Sequence, residues 1–162
     1  SALAGTVGYL ELGLNGPIDA APTVARVSNF SGAFLTGGVL DPSGDVSGDV
    51  VNGVVLRNGP DLNFFDQLVT FGGLFSFDVS FDLGGGEHGT VFSVGFVDEV
   101  YNYLGALGNV IELNLVAGQP AELQLVDGEF ASVAQVPEPA AWLLLASGLF
   151  LLATTRRMRQ GR

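Results

Sequence analysis

Cysteine and lysine are absent from all 162 residues, and histidine, methionine and tryptophan occur once each. Without cysteine there are no disulfides, no thiol catalysis and no thiolate metal site, so stability must come from packing. Basic residues are almost as scarce, because Arg26 and Arg57 are the only two before residue 156. Sixteen of the 17 acidic residues precede Glu138, so that part of the chain carries about −14 by count, against −11 for the whole. Such a surface repels nucleic acid and anionic lipid. The lone His88, in Gly86-Glu87-His88-Gly89, has no cysteine or second histidine for zinc, and no Gly-x-Ser-x-Gly elbow accompanies it. It reads as a loop residue. No stretch before residue 136 carries a helical stripe.

What the chain has instead is period two. Phe75, Phe77, Val79, Phe81 and Leu83 alternate with Ser76, Asp78, Ser80 and Asp82, the pattern of a strand with one apolar and one wet face. Leu10, Leu12 and Leu14 alternate near the start, Phe92, Val94 and Phe96 in the middle, and Ile111, Leu113 and Leu115 later. Leu123 and Leu125 follow Ala117-Gly118-Gln119-Pro120, which predicts a hairpin return. Gly37-Gly38, Asn58-Gly59-Pro60 and Gly84-Gly85-Gly86 read as turns or loops. About 130 residues of this kind suffice for one domain with a core. The expected fold is all-β, an antiparallel β-sandwich of jelly-roll-like form over residues 5–132.

The C-terminus is built differently. Val136-Pro137-Glu138-Pro139 ends a linker of residues 133–139, and residues 140–155 (AAWLLLASGLFLLATT) hold no charge. As a helix this run rises about 24 Å, slightly under the ~30 Å hydrocarbon core. Leu143, Leu144, Leu145, Leu149, Phe150, Leu151 and Leu152 would form the membrane anchor, with Trp142 at one interface. Arg156, Arg157 and Arg159 form a basic stop within residues 156–162. Arginine-rich flanks stay cytoplasmic, which puts the domain on the far side of the membrane. Pro137 and Pro139 bar helix and sheet pairing, so Glu138 is held on an extended, accessible segment.

A Pro-Glu-Pro motif, one hydrophobic span and a terminal arginine cluster together resemble the PEP-CTERM sorting signal of Gram-negative bacteria. The resemblance covers roughly the last 27 residues. It implies recognition by exosortase, a membrane-embedded cysteine transpeptidase, and a span that anchors transiently before it is removed. It further implies association with exopolysaccharide production and biofilm or floc formation. For the upstream domain it implies no shared activity, since such tails are attached to unrelated domains.

At the other end, Ala2-Leu3-Ala4 has the small-x-small form of a signal-peptidase site, so residues 1–4 read as the remnant of a secretory leader. Within the domain, Asp41, Ser43, Asp45, Ser47 and Asp49 place oxygens at alternate positions, which makes Asp41, Asp45 and Asp49 weak calcium candidates. Counted from Asp41, the sixth and twelfth places hold Val46 and Asn52 where an EF-hand needs Gly and Glu, so an acidic turn is the stronger reading. Asp78 and Asp82 lie about 13 Å apart along one strand, beyond the ~5–9.5 Å of a glycosidase pair, and read as solubilising charges. If Val100 to Leu104 is extended, Tyr101 and Tyr103 share a side and offer a thin sugar-stacking platform, with packing the stronger reading. Asn29-Phe30-Ser31 matches the glycosylation sequon, a match that is usually accidental in bacteria.

These readings describe an exported structural or interaction protein of the cell envelope or extracellular matrix, not an enzyme. It passes transiently through the inner membrane with its domain in the periplasm, then reaches the outer membrane, cell surface or exterior. Its expected partners are exosortase, the membrane and exopolysaccharide, with no nucleic acid and no cofactor. A carbohydrate- or calcium-binding module is the alternative, and a hydrolase comes third.

Overall fold

The computed structural model describes residues 3–39 and 42–135. The chain divides into a unit of Ser1–Ser132 and a second of Val133–Arg162. The sorting motif Val136–Pro139, the apolar span and the arginine stop lie outside the described residues, as does Asp41. Among the described residues no helix is long and apolar enough to cross a membrane.

The first unit is all-β. Its strands are β1 (Val7–Asn15), β2 (Thr23–Ser31), β3 (Phe34–Val39), β4 (Val46–Asp49), β5 (Gly53–Arg57), β6 (Phe64–Thr70), β7 (Ser76–Leu83), β8 (Thr90–Val97), β9 (Ile111–Leu115) and β10 (Glu122–Val126). They form two sheets, one six-stranded in the order β10-β9-β8-β1-β6-β3 and one four-stranded in the order β4-β5-β2-β7. Every paired neighbour is antiparallel.

The alternating runs became the strands they predicted. On β7 the residues alternate between exposed and half-buried along its whole length, with Phe77, Val79, Phe81 and Leu83 turned to the core. As an edge strand it keeps Asp78 and Asp82 in water, a placement that discourages edge-to-edge pairing. Asp78 accepts a hydrogen bond from Asn29 Nδ2 at 2.6 Å and Asp82 pairs with Arg26 at 3.4 Å. The Gly118 region closes the β9–β10 hairpin, Gln119 N–H donating to Val116 O at 3.1 Å. Gly37-Gly38 is a correction. These residues lie inside β3, whose pairing with β6 shifts register between Phe34 and Val39. Glycine in an edge strand here marks an irregular ladder, not a turn.

Both sheets contribute to one core. Leu10, Leu12 and Leu14 of β1 meet Phe65 and Val69 of β6, Phe92 and Val94 of β8, Ala25 and Val27 of β2, and Val54 and Leu56 of β5. At one end six phenylalanines run from sheet to sheet: Phe77, Phe30, Phe34, Phe75, Phe71 and Phe96, with successive ring centroids 5.3–6.3 Å apart. All but the tilted Phe30–Phe77 pair meet edge-on, and such contacts add ~0.5–1.5 kcal/mol per pair beyond burial. In a chain with no disulfide, this aromatic run ties the two layers together. Phe71 is 6% exposed and touches both Phe75 and Phe96. Phe71→Ala is therefore expected to cost ~3–5 kcal/mol in denaturant unfolding of the full chain. A loss below ~1 kcal/mol would show that the aromatic run does not join the sheets.

Candidate functional site

Strand β1 is buried on both faces. Its even-numbered leucines fill the core, so Tyr9, Glu11 and Gly13 face the opposite side of the six-stranded sheet. On β6 the same alternation sends Phe65 and Val69 inward and Phe64 and Asp66 outward. Register then sets Glu11 directly opposite Asp66 on one side and Gly95 of β8 on the other. Cross-strand neighbours hold their Cβ atoms about 4.5–5.5 Å apart. Two carboxylates thus stand side by side, 8% and 4% exposed.

Their surroundings form a cavity of about 320 Å³ lined by Glu11, Ser43, Leu62, Phe64, Asp66, Val97, Tyr101 and Tyr103. Two missing side chains make room for it. A Cβ on Gly13 would lie 2.9 Å from the Phe64 ring, so glycine there lets that ring lie across β1. A Cβ on Gly95 would come within 3.2 Å of the Tyr103 ring and 3.1 Å of Asn109 Oδ1. Tyr103 consequently lies over β8 beside Glu11.

The tyrosine wall is set by Asp98. Its Oδ1 accepts from the N–H groups of Val100 and Asn102, each at 2.9 Å, and its Oδ2 accepts from Asn102 Nδ2 at 2.9 Å. These bonds hold the Asp98 carboxyl below its usual range, the Asn102 side chain contributing most. Tyr101 sits at φ 62°, in the left-handed region that a bulky residue rarely occupies. The chain turns at Val100 and Tyr101 and returns to pair Tyr103 with Val97, so the condition of an extended Val100 to Leu104 is not met. Tyr101 and Tyr103 both reach the cavity because of that turn, and they remain 58% and 43% exposed.

The opposite wall hangs on Asn63, which is 1% exposed. Its Nδ2 donates to Asp61 O at 2.7 Å and Leu14 O at 3.3 Å, and its Oδ1 accepts from Asp45 N–H at 2.8 Å. Ser43 and Phe64 exchange backbone hydrogen bonds at 3.0 Å, which brings the Ser43 segment to the cavity edge.

Burial raises both acids. The Glu11 carboxyl is pushed up to about 7 by desolvation and, secondarily, by the charge of Asp66. Desolvation pushes Asp66 up to about 6. Burial also raises the Tyr103 phenol, with Glu11 and then Glu112 adding to it. Asp66 Oδ1 is buried and accepts no hydrogen bond among the described residues. The pair is thus a proton-binding group near neutrality, able to accept from a donor or to hold a cation.

The acids singled out in the sequence lie elsewhere. Asp45 pairs with Arg57 at 3.2 Å. Asp49 caps its own turn, accepting from Val51 N–H at 2.8 Å and Asn52 N–H at 2.7 Å. No group of three His, Cys, Asp or Glu capable of holding a metal occurs among the described residues. His88 is exposed, 3.3 Å from Asp19. The sequence offered no partner for a carboxylate pair along β7, and the pair that forms comes from β1 and β6 instead. Glu11 carried a signal, as the one acid between alternating leucines. Asp66 carried none, because Phe64-Phe65-Asp66-Gln67-Leu68 has no clean period.

A pH dependence follows. Glu11 and Asp66 bind protons more tightly folded than unfolded, where their values are 4.5 and 3.8. Their stabilising effect is complete below about pH 4 and is lost as pH rises through about 6 and 7. Asp49 and Asp98 are shifted the other way, so their contribution is lost only below that window. The thermal midpoint should fall by ~5 °C between pH 5 and pH 8. The general repulsion of an acidic chain falls in the same direction, so the control is Glu11→Gln/Asp66→Asn. That variant should lose most of the fall and melt above wild type at pH 8. An equal fall in both proteins would contradict the burial of the pair.

Comparison with known proteins addresses the tail. A family model described as the PEP-CTERM protein-sorting motif matches residues 135–159. Neither the curated proteins nor the solved structures contain a match to the chain. The motif is a signal for exosortase processing and for sorting to the cell envelope and extracellular space. Residues 135–159 of the chain thus carry a PEP-CTERM protein-sorting motif.

Proposed function

We propose that this protein is a structural or interaction component of the cell surface or extracellular matrix, linked to exopolysaccharide and to biofilm or floc formation. The observation that carries the reading is the sorting motif at residues 135–159, joined to an upstream β unit that ends at Ser132. In this reading the span of residues 140–155 holds the protein in the inner membrane with its domain in the periplasm. Exosortase then cuts near Pro137-Glu138-Pro139 and the domain leaves that membrane. The domain's work is binding and display, not turnover. Its carboxylate pair has the proton affinity of an acid–base couple, but the cavity lining brings it no histidine, arginine or lysine to stabilise a developing charge. A binding module is the second reading, favoured by the tyrosine-walled cavity over Glu11 and Asp66.

Replacing Pro137-Glu138-Pro139 by three alanines separates sorting from simple anchoring. Hydrophobicity and the arginines alone still insert the span. In a host that processes such substrates, the substituted protein should accumulate at full length in the inner membrane. The native protein should lose the mass of the segment after the motif and move to the surface or medium. Identical masses and fractions for both would refute exosortase sorting. Unchanged floc or biofilm formation after deletion of the whole protein would refute the matrix role alone.

A further inference from the structure

The charges facing Glu11 are all negative or neutral. Asp66 stands opposite on β6, Tyr103 leans in from the loop after β8, and Glu112 of β9 lies beyond, bonded to Asn109 Nδ2 at 2.8 Å. The two described arginines are engaged elsewhere, Arg26 with Asp82 and Arg57 with Asp45. A pair of carboxylates shielded from water is costly unless each meets a donor or a positive charge. Here Asp66, 4% exposed, lines a cavity, and its Oδ1, itself buried, has no partner among the described residues. At about 320 Å³ the cavity lies at the small end of the ~300–1,000 Å³ of small-molecule sites.

The rest of the lining narrows the ligand. Leu62, Phe64 and Val97 are carbon, and two half-exposed phenol rings form the rim. Calcium takes six to eight oxygens. Beyond the two carboxylates the side chains of the lining add only hydroxyls, and that of Ser43 already donates to Leu62 O at 3.2 Å. A neutral sugar supplies donors but no charge, and leaves two like charges adjacent. An alkyl- or arylammonium supplies three N–H donors, one positive charge, and a hydrocarbon body for the apolar walls. Aromatic rims attract such cations further. The left-handed Tyr101, held by the Asp98 turn, is the kind of over-determined backbone found at ligand clamps.

We propose that the cavity over Glu11 and Asp66 binds a small organic ammonium, its nitrogen donating to the two carboxylates and its body lying between Tyr101, Tyr103 and Val97. The proposal is independent of how the protein is sorted. Binding draws the carboxyls into their charged form, so affinity rises with pH and each bound cation releases protons.

The test is calorimetry on the full chain in mild detergent, with 2-phenylethylammonium as probe and 2-phenylethanol as its uncharged counterpart. A ligand of this size should bind at about 1 mM or tighter at pH 8. The alcohol should bind at least ~10-fold more weakly, and the ammonium should weaken at least ~10-fold at pH 5. Glu11→Gln/Asp66→Asn should abolish binding while melting no lower than wild type at pH 8, which separates lost binding from lost folding. Tyr101→Ala, on an exposed side chain, should weaken binding at least ~3-fold. Equal affinity for the alcohol, pH-independent binding of the ammonium, or no binding of it at all would overturn the proposal. So would tighter binding of calcium or of glucose than of the ammonium.

Discussion

Burial of β1 on both faces is the constraint on which the described structure depends. One face gives Leu10, Leu12 and Leu14 to the core between the sheets, each 1% exposed or less. Burying such side chains favours folding by ~1.5–3 kcal/mol apiece. The other face is covered as well, by the Asp98 turn and the Asn63-pinned segment, and the residue trapped there is an acid. Apolar burial on one side of the strand thus fixes an unfavourable burial on the other. In a domain whose net stability is only ~5–15 kcal/mol, two desolvated carboxylates are a substantial opposing term. The aromatic run at one end of the sandwich supplies part of what offsets it.

Sequence alternation showed which segments would be strands where one face is wet, because exposure then forces a polar residue at every second place. Strand β7 is the clearest case. It was silent where a strand is covered on both faces or lies irregularly. Strand β6 has buried residues on both sides, and β3 holds two glycines that imitate a turn. Pairing was legible only locally, for β9 with β10, where a short turn dictates it. The β1–β6 pairing joins segments over fifty residues apart, and nothing local encodes it. The candidate site was hidden for the same reason, since Glu11 and Asp66 become neighbours only through that register. Tyr101 and Tyr103 were visible as a pair, although a capped turn brings them together and not an extended strand.

The address and the candidate site occupy separate parts of this chain. The tail is a short linear signal whose meaning rests on residue order: two prolines around a glutamate, an apolar run, then arginines. It could be read without any fold. The domain's candidate site is built from groups distant in sequence and follows only from geometry, as expected when sites are grafted onto a common scaffold. A net charge as far from zero as −11 favours solubility through self-repulsion. Against that background, a cavity that gathers two buried acids beneath tyrosines is a local feature with its own chemistry.

Carboxyl-carbon NMR titration of Glu11 and Asp66, assigned by Glu11→Gln and Asp66→Asn, tests the central claim most directly. Because the two acids share a register position, they should release their protons in two coupled steps near about pH 6 and about pH 7. Midpoints near 3.8 and 4.5, the values of exposed side chains, would show that β1 does not pair with β6 as described and that the acidic cavity does not exist.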